Sequence, residues 1–210
     1  MSLRQYHGFT DPSGGSSDSM TLAIAHLSIF GKAVLDGAWE RRAPFSPAEV
    51  VREFAGILKS YGLHSVTGDC YAGEWPRERF RENEIKYVLA DRTKSEFYLD
   101  CLVLINSGKA RLPRDKRLRA QFETLERRHA RSGKDVVDHP PGAHDDLANA
   151  CAGALCLAAA RGGAGEPFLG EILSLRTPYP KDAGGLSSPE NDYGFDSPSQ
   201  HVASFGKPRS

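Results

Sequence analysis

The sequence predicts an α/β fold in which one mixed sheet is flanked by helices. Three observations support this class: strand-like segments come first and two of them form a hairpin, strands and helices then alternate, and helix-like segments follow. With 210 residues, the chain is long enough to bury the core of one domain. We expect that domain to span residues 1–162.

The first three predicted strands open the sheet. Tyr6–Asp11 is a short strand-like run that ends before Pro12 and a Gly-Gly pair, residues that interrupt regular structure. Residues 20–29 and 33–39 are two further apolar runs, joined across a Gly-Lys turn at the spacing of an antiparallel hairpin. Asp11 is therefore predicted to lie at the end of the first strand.

The next elements are predicted to alternate between helix and strand. Ser46 has the residue type of a helix N-cap, Pro47 suits the first helical position, and Glu49 completes the capping pattern. An apolar stripe then runs towards Gly62, which is expected to end this helix. The later predicted elements are a strand at 64–69, a helix at 76–83, a strand at 85–89 and helices at 94–105, 115–128 and 144–161.

The C-terminal segment has a different composition. Gly, Pro and Ser supply 21 of the 49 residues from 162 to 210, with little apolar periodicity. A segment of this composition buries too little apolar surface to form a core. We therefore predict that residues 163–210 are a tail.

Charge and hydropathy restrict the partners of this chain. Lys and Arg total 27 and Asp and Glu total 27, so nucleic acid could be contacted only through a local basic patch. No apolar run approaches the roughly 20 residues needed to cross a bilayer, and no signal-peptide pattern is present. We expect a cytoplasmic protein without a membrane partner. The four cysteines form no CxxC pair, so we expect buried, reduced thiols.

Acidic residues occur where predicted elements end or begin. Asp11 ends the first strand, Asp69 ends the fourth, and Asp145 with Asp146 begins the final helix. Each position by itself has a structural explanation, as a turn, a strand end or a helix cap. Together they would provide the hard oxygen ligands that two divalent ions need for phosphodiester hydrolysis. Their order along the chain is similar to the layout of the ribonuclease H fold.

Four segments carry a resemblance to a known family. They are Asp11-Pro12-Ser13-Gly14-Gly15 followed by Asp18, Gly68-Asp69 leading into Tyr71-Ala72-Gly73-Glu74-Trp75, Thr93-Lys94-Ser95-Glu96, and His144-Asp145-Asp146-Leu147-Ala148-Asn149-Ala150. Over residues 6–161 this pattern resembles the C-terminal nuclease domain of the large subunit of tailed-phage terminases. The resemblance implies a ribonuclease H-like fold and cleavage of double-stranded DNA with two Mg²⁺ or Mn²⁺ ions.

The resemblance also implies residue roles and partners. The implied metal ligands are Asp11, Asp69 and one of Asp145 and Asp146, with Asp18 as an auxiliary ligand and Lys94 near the phosphate. The implied partners are a terminase ATPase domain, the small terminase subunit and the portal. The sequence contains no GxxxxGK[ST] segment, so the resemblance does not extend to the ATP-driven motor.

Helix geometry favours Asp146 over Asp145 as the catalytic ligand. If the final helix begins at His144, its apolar face lies about 100° from Asp146 and about 160° from Asp145. Asp146 would then lie beside the strand ends. Asp145 would face outward, where its carboxylate could cap the helix.

A basic stretch is the candidate DNA-binding region. Residues 109–134 contain ten Lys or Arg and three acidic residues. Such a stretch can contact a phosphate backbone, which positions DNA without reading its sequence, or it can be a solvated helix face. The candidate DNA-contact residues are Lys109, Arg111, Arg114, Lys116, Arg117, Arg127 and Arg128.

Three other functions fit parts of this pattern. A junction resolvase or transposase-like nuclease would share the fold and cut selected DNA structures. A non-catalytic DNA-binding or assembly module would bind DNA without cutting it. Asp138-His139 with His144-Asp145 also offers imidazole and carboxylate ligands to a zinc hydrolase, although this leaves the other acidic positions without a role.

Overall fold

The structure, a computed structural model, describes residues 4–69, 74–129 and 135–160. This part of the chain contains eight strands and five helices, which confirms the predicted α/β class. The elements are β1 (Tyr6–Asp11), β2 (Met20–Leu27), β3 (Ala33–Arg41), α1 (Pro47–Ser60), β4 (Ser65–Gly68), α2 (Trp75–Glu82), β5 (Lys86–Leu89), α3 (Lys94–Asn106), β6 (Ala110–Arg111), α4 (Lys116–Thr124), β7 (Glu126–His129), β8 (Asp135–Asp138) and α5 (Asp146–Ala160).

A six-stranded mixed sheet forms the centre of the fold, in the order β5-β4-β1-β2-β3-β6. β1 pairs antiparallel with β2, and β2 antiparallel with β3, which confirms the predicted hairpin. On its other side β1 pairs parallel with β4, and β4 pairs parallel with β5. The two-residue strand β6, which the sequence patterns did not predict, adds parallel to β3.

Helices cover both faces of this sheet. In β2, Met20, Leu22 and Ile24 pack in the core beneath α1 and α2. Ala23 and Ala25 of the same strand pack in the opposite core, which α3, α4 and α5 cover. Because successive side chains of a strand point to opposite faces, this one buried strand contributes to both halves of the core.

Helix α5 lies directly on β1 because its residues are small. Six of its twelve buried residues are alanine, and Gly153 faces Phe9 of β1. A Cβ atom at Gly153 would lie 2.4 Å from the Phe9 ring, a distance at which the two elements would have to separate. The close approach fixes α5 against the strand that carries Asp11.

The helix predicted over residues 115–128 is wrong over its last four residues. α4 ends at Thr124, and the fully buried Leu125 adopts an extended backbone with φ −62° and ψ 135°. Glu126–His129 then forms β7, which pairs antiparallel with β8 in a separate two-stranded sheet. These four residues have no apolar stripe to hold a helix against the core, whereas the ladder with β8 pairs the backbone groups along one edge of the strand.

Three of the four cysteines lie within the described residues. Cys101, Cys151 and Cys156 are buried free thiols, as predicted, and burial raises the pKa of each. Cys70, the predicted domain boundary at residue 162 and the predicted tail lie outside the described residues. No helix in the described ranges combines the length and apolar character needed to span a membrane.

Candidate active site

Asp11 and Asp69 lie at the same edge of the sheet because β1 and β4 run parallel. Thr10 pairs in register with Gly68, so each aspartate directly follows one member of this pair. The Tyr87 hydroxyl donates a hydrogen bond to the backbone carbonyl of Asp69 at 3.1 Å. A Cβ atom at Gly68 would lie 2.2 Å from the Tyr87 hydroxyl oxygen, so glycine before Asp69 allows the tyrosine to make this contact.

Asp146, the first residue of α5, reaches the same edge. The backbone N–H of Ser19 donates to Asp146 Oδ2 at 3.3 Å, and Thr21 Oγ1 donates to the Asp146 carbonyl at 2.8 Å. Thr21 is the register partner of Asp11. Two strands and one helix therefore bring Asp11, Asp69 and Asp146 to one end of the sheet.

The carboxylates of this cluster act on one another. Burial is the main cause that raises the pKa of Asp11 to about 7; a hydrogen bond from Asn149 opposes the shift, and the charges of Asp146 and Asp69 add to it. Burial also raises the pKa of Asp146. Nearby carboxylates that resist ionisation together are stabilised in their charged form by a bound cation.

Asn149 of α5 is a residue that the sequence patterns did not single out as part of the site. Its Nδ2 donates to Asp11 Oδ2 at 2.8 Å, and only 2% of the residue is exposed. Asn149 follows Asp146 by three positions, which places both on one side of the helix. That spacing was the signal available in the sequence.

The prediction that Asp145 faces outward is wrong. Its side chain is 3% exposed, against 15% for Asp146. Lys94 Nζ lies 2.8 Å from Asp145 Oδ2, and the Tyr98 hydroxyl donates to the same oxygen at 2.8 Å. The cause is the start of the helix: α5 begins at Asp146 instead of His144, so Asp145 precedes the helix and the 100° step does not apply to it.

Asp145 caps α5 through its backbone instead of its carboxylate. Its carbonyl accepts the N–H of Asn149 at 2.8 Å. The N–H of Ala148 donates to Oε1 of Gln121, a buried residue of α4, at 2.9 Å. Gln121, from another helix, thus accepts the hydrogen bond that was predicted for the Asp145 carboxylate. The Asp145 carboxylate pairs with Lys94 instead.

Lys94, at the start of α3, connects the beginning of α5 with the end of β8. Its ammonium group donates to Asp145 Oδ1 and to Asp138 Oδ1, both at 3.0 Å. Burial by itself would lower the pKa of Lys94, but the two carboxylates outweigh burial and raise it, so the ammonium stays charged. Lys94 therefore lies close to the acidic cluster, and its charge is shared between two carboxylates.

A second group of possible metal ligands lies beside this lysine. Asp138, His139 and Asp145 have ligand atoms within 4.8 Å of one another. They are three of the four residues considered for a zinc hydrolase. The ammonium of Lys94 already forms ion pairs with both carboxylates of this group. A zinc ion would have to displace this lysine, so the arrangement does not favour the zinc alternative.

Glu40 of β3 is a further acidic residue at this end of the sheet. It pairs in register with Thr21, which pairs with Asp11 on its other side. An Arg117 nitrogen lies 2.6 Å from Glu40 Oε1. Burial alone would raise the pKa of Glu40, but hydrogen bonds from Arg117 and Ser19 lower it overall. Glu40 is therefore ionised and its charge is balanced by Arg117, and this ion pair connects α4 with the sheet.

Asp18 lies at the rim of the acidic cluster. It is exposed in the loop between β1 and β2, where the Ser13 hydroxyl donates to its carbonyl at 2.8 Å. Its negative charge is one of those that raise the pKa of Asp146, after the larger effect of burial. An auxiliary role for Asp18 stays a prediction.

Two of the predicted DNA-contact residues, Lys109 and Arg111, lie far from the carboxylates. Arg111 of β6 pairs with Val34 of β3, and Glu40 follows Val34 by six residues on the same strand. At about 3.3 Å per residue, this is about 20 Å along the strand. The basic stretch is therefore divided between the two ends of the sheet.

Arg127 and Arg128 lie nearer to the cluster. They belong to β7 and pair with the two residues of β8 that precede Asp138, the partner of Lys94. Their side chains are 45% and 57% exposed, and each forms an ion pair with an acidic residue of the same hairpin. Arg114 and Lys116 are exposed near the start of α4. Contact of these residues with DNA stays a prediction.

The strand order and the acidic strand ends define a ribonuclease H-like fold, as predicted. The large terminase nuclease from thermophilic phage G20c matches with a TM-score of 0.62 and 20% identity, over 73% of this chain and 82% of that chain. The nuclease domain of the large terminase subunit of bacterial virus Sf6 matches with a TM-score of 0.56 and 16% identity, over 71% and 87% of the two chains. The G20c nuclease has been solved with magnesium and with cobalt.

A longer terminase chain also contains this fold. The HK97 bacteriophage large terminase matches with a TM-score of 0.58 and 16% identity, over 73% of this chain and 40% of its own length. No known family profile and no curated protein matches the sequence. The fold of this chain is thus that of large terminase nuclease domains, which confirms the predicted resemblance in three dimensions.

Proposed function

We propose that this chain is a metal-dependent endonuclease that cuts double-stranded DNA, as the nuclease part of a phage DNA-packaging terminase. The observation that carries this proposal is the convergence of Asp11, Asp69 and Asp146, whose charges act on one another at one end of the sheet. The likeness to solved large terminase nucleases supports it. The proposed partners are a terminase ATPase domain, the small subunit and the portal.

The donor set of this cluster fits Mg²⁺ or Mn²⁺. Asp11, Asp69 and Asp146 offer carboxylate oxygens, the ligands that such cations prefer. Among the described residues these three carboxylates do not form a group with all ligand atoms within 4.8 Å, so the proposal of two ions rests on the chemistry of the donors and on the likeness to terminase nucleases. Bound there, the ions would supply an activated water and stabilise the leaving oxygen of the phosphodiester.

The protein's own residues orient the carboxylates. Asp146 accepts a hydrogen bond from the backbone of Ser19, and Asp11 accepts one from the amide of Asn149. The backbone that follows β4 is held at Asp69 by a tyrosine hydroxyl from β5. Ligands held in this way need little reorganisation when the ions and DNA bind.

A plasmid-nicking assay tests the proposed activity. We expect the purified chain to convert supercoiled plasmid to nicked and linear forms in Mg²⁺ or Mn²⁺, because the carboxylates require a divalent ion to act on a phosphodiester. Excess chelator should stop the reaction. Equal cutting in chelator would contradict metal dependence. DNA binding without cutting in either ion would favour a non-catalytic module, and a strong preference for branched DNA would favour a resolvase.

Charge removal tests which basic residues hold DNA. We expect Arg127→Gln with Arg128→Gln to weaken duplex binding about ten-fold and to reduce the slope of log affinity against log salt by up to about 2, since each phosphate contact contributes roughly 0.9. Fluorescence anisotropy across a salt series measures both quantities. The matched control is Lys109→Gln with Arg111→Gln, which removes equal charge at the far end of the sheet. Equal losses for both pairs would show that the hairpin has no particular role.

A further inference from the structure

Only one of the two polar atoms of the Asn149 carboxamide forms a hydrogen bond within the described residues. Its Nδ2 donates to Asp11 Oδ2 at 2.8 Å. Its Oδ1 is one of three buried side-chain polar atoms in the described ranges that have no hydrogen-bond partner. Burial of an unsatisfied carbonyl costs free energy, so packing alone would favour an apolar side chain of similar size at this position.

We propose that Asn149 is a positioning residue for the metal site. Its Nδ2 sets the orientation of the Asp11 carboxylate, and the unpaired Oδ1 is the free-energy cost of keeping this donor at a buried position. This inference rests on the proposed nuclease function and deepens it, because it assigns a role to a residue outside the carboxylate set.

The helix explains how Asn149 performs this role. The N–H of Asn149 is bonded to the Asp145 carbonyl at 2.8 Å, and α5 is held close to β1 by the contact of Gly153 with Phe9. Asn149 therefore cannot shift without moving the first turn of α5. One rigid helix thus carries both Asp146, the third acidic residue of the cluster, and the group that holds Asp11.

The hydrogen bond also limits which Asp11 oxygen is engaged by the protein. Asn149 binds Oδ2 and fixes the plane of the carboxylate, since rotation about the side-chain bond would break the contact. A ligand that is already oriented loses less conformational freedom when an ion binds. We therefore expect the DNA-free wild type to bind metal ions more tightly than a variant that lacks this hydrogen bond.

The test is the affinity of DNA-free protein for Mn²⁺, measured by electron paramagnetic resonance of the free ion. We expect Asn149→Leu, which removes both polar atoms at similar size, to weaken Mn²⁺ binding about ten-fold or more, the scale known for groups that orient metal ligands. Cys156→Ala is the matched control. Cys156 is also buried in α5, but its thiol contacts the Phe97 carbonyl at 3.5 Å, and we expect its replacement to leave Mn²⁺ affinity unchanged.

A second variant keeps the inference testable if Asn149→Leu does not fold. Asn149→Asp retains the shape and an acceptor but replaces the donor with a carboxylate facing Asp11. We expect a larger Mn²⁺-induced rise in Tm than in the wild type, because an ion relieves the new repulsion.

The outcomes separate the inference from the proposed function. Wild-type Mn²⁺ affinity in Asn149→Leu, or a Tm rise in Asn149→Asp no larger than in the wild type, would overturn the role of Asn149 while the wild type still binds Mn²⁺ and cuts DNA. A wild-type protein that neither binds Mn²⁺ nor cuts DNA would overturn both.

Discussion

Replacing Asp11 with asparagine is expected to abolish DNA cutting and, at the same time, to stabilise the metal-free protein. The neutral amide removes charge that the ions need, which corresponds to several kcal/mol of transition-state stabilisation and a loss of roughly 10²- to 10⁴-fold in rate. Stability increases because burial disfavours the charged form of Asp11, whose pKa is raised to about 7. A loss of activity combined with a gain in stability distinguishes a metal ligand from a structural acid.

The pH dependence of this stability gain has a definite sign. Asp11 has a pKa of 3.8 in the unfolded chain and of about 7 in the fold, so the folded state binds more protons between these values. Relative to Asp11→Asn, the wild type therefore loses stability as pH rises from about 4 to 7. At about 1.4 kcal/mol per pKa unit, the difference near pH 7 is on the order of 2–4 kcal/mol, reduced by the solvent that reaches this half-buried carboxylate. Urea unfolding of both proteins in chelator at several pH values measures it.

The other acidic residues provide the controls for Asp11. We expect Asp69→Asn and Asp146→Asn to lose cutting to a similar extent. Asp145→Asn is the matched variant next to Asp146, and we expect it to lower stability by breaking the ion pair with Lys94 while cutting is retained better. If folded Asp145→Asn loses cutting and Asp146→Asn retains it, the third ligand is Asp145.

Replacing Lys94 with methionine is expected to lower the free energy of unfolding by roughly 2–4 kcal/mol. The substitution keeps the length of the side chain but leaves the carboxylate of Asp145, which is 3% exposed, without its cation. Lys59→Met is the matched control, because Lys59 forms a contact of similar length, 2.7 Å, with the exposed Glu84. Solvent screens that pair, so its loss should change stability little. Denaturant unfolding at neutral pH compares the two.

A double-mutant cycle identifies the cause of the Lys94 effect. Asp145→Asn in the Lys94→Met background removes the unpaired charge, so the double variant should recover part of the lost stability. Additive losses from the two substitutions would show that Lys94 stabilises the fold through packing alone. A loss in Lys94→Met no greater than in Lys59→Met would contradict a buried ion pair.

The first strands and their acidic ends could be predicted from the sequence because their signals are local. Tyr6–Asp11 and the hairpin after it are apolar runs bounded by proline and glycine, and these residues impose turns whatever the surrounding fold. An aspartate that follows such a run lies at a strand end. Because β1 and β4 are parallel, Asp11 and Asp69, which come at their C-terminal ends, lie at the same edge of the sheet.

The hairpin of β7 and β8 could not be predicted in this way. Glu126–His129 is a run of charged residues without strand or helix periodicity, and its backbone becomes a strand only because β8 pairs with it. The helix prediction continued the pattern of α4 past Leu125. In the structure Leu125 is buried with an extended backbone, and the helix ends before it. β8 follows after only five residues, but Asp135–Asp138 is also too short to show an alternating apolar pattern, so the pairing has little local signal.

The sequence by itself determined the order of the elements from β1 to α3, the hairpin of β2 and β3, and the placement of Asp11, Asp69 and the Asp145–Asp146 pair at element ends. Only the tertiary structure decided which member of that pair is buried with Lys94 and that Asn149 holds Asp11. The physical reason is that helical periodicity describes directions around one axis, after the helix has begun. Where α5 begins, and what faces its first turn, depends on acceptors and cations supplied by α3 and α4.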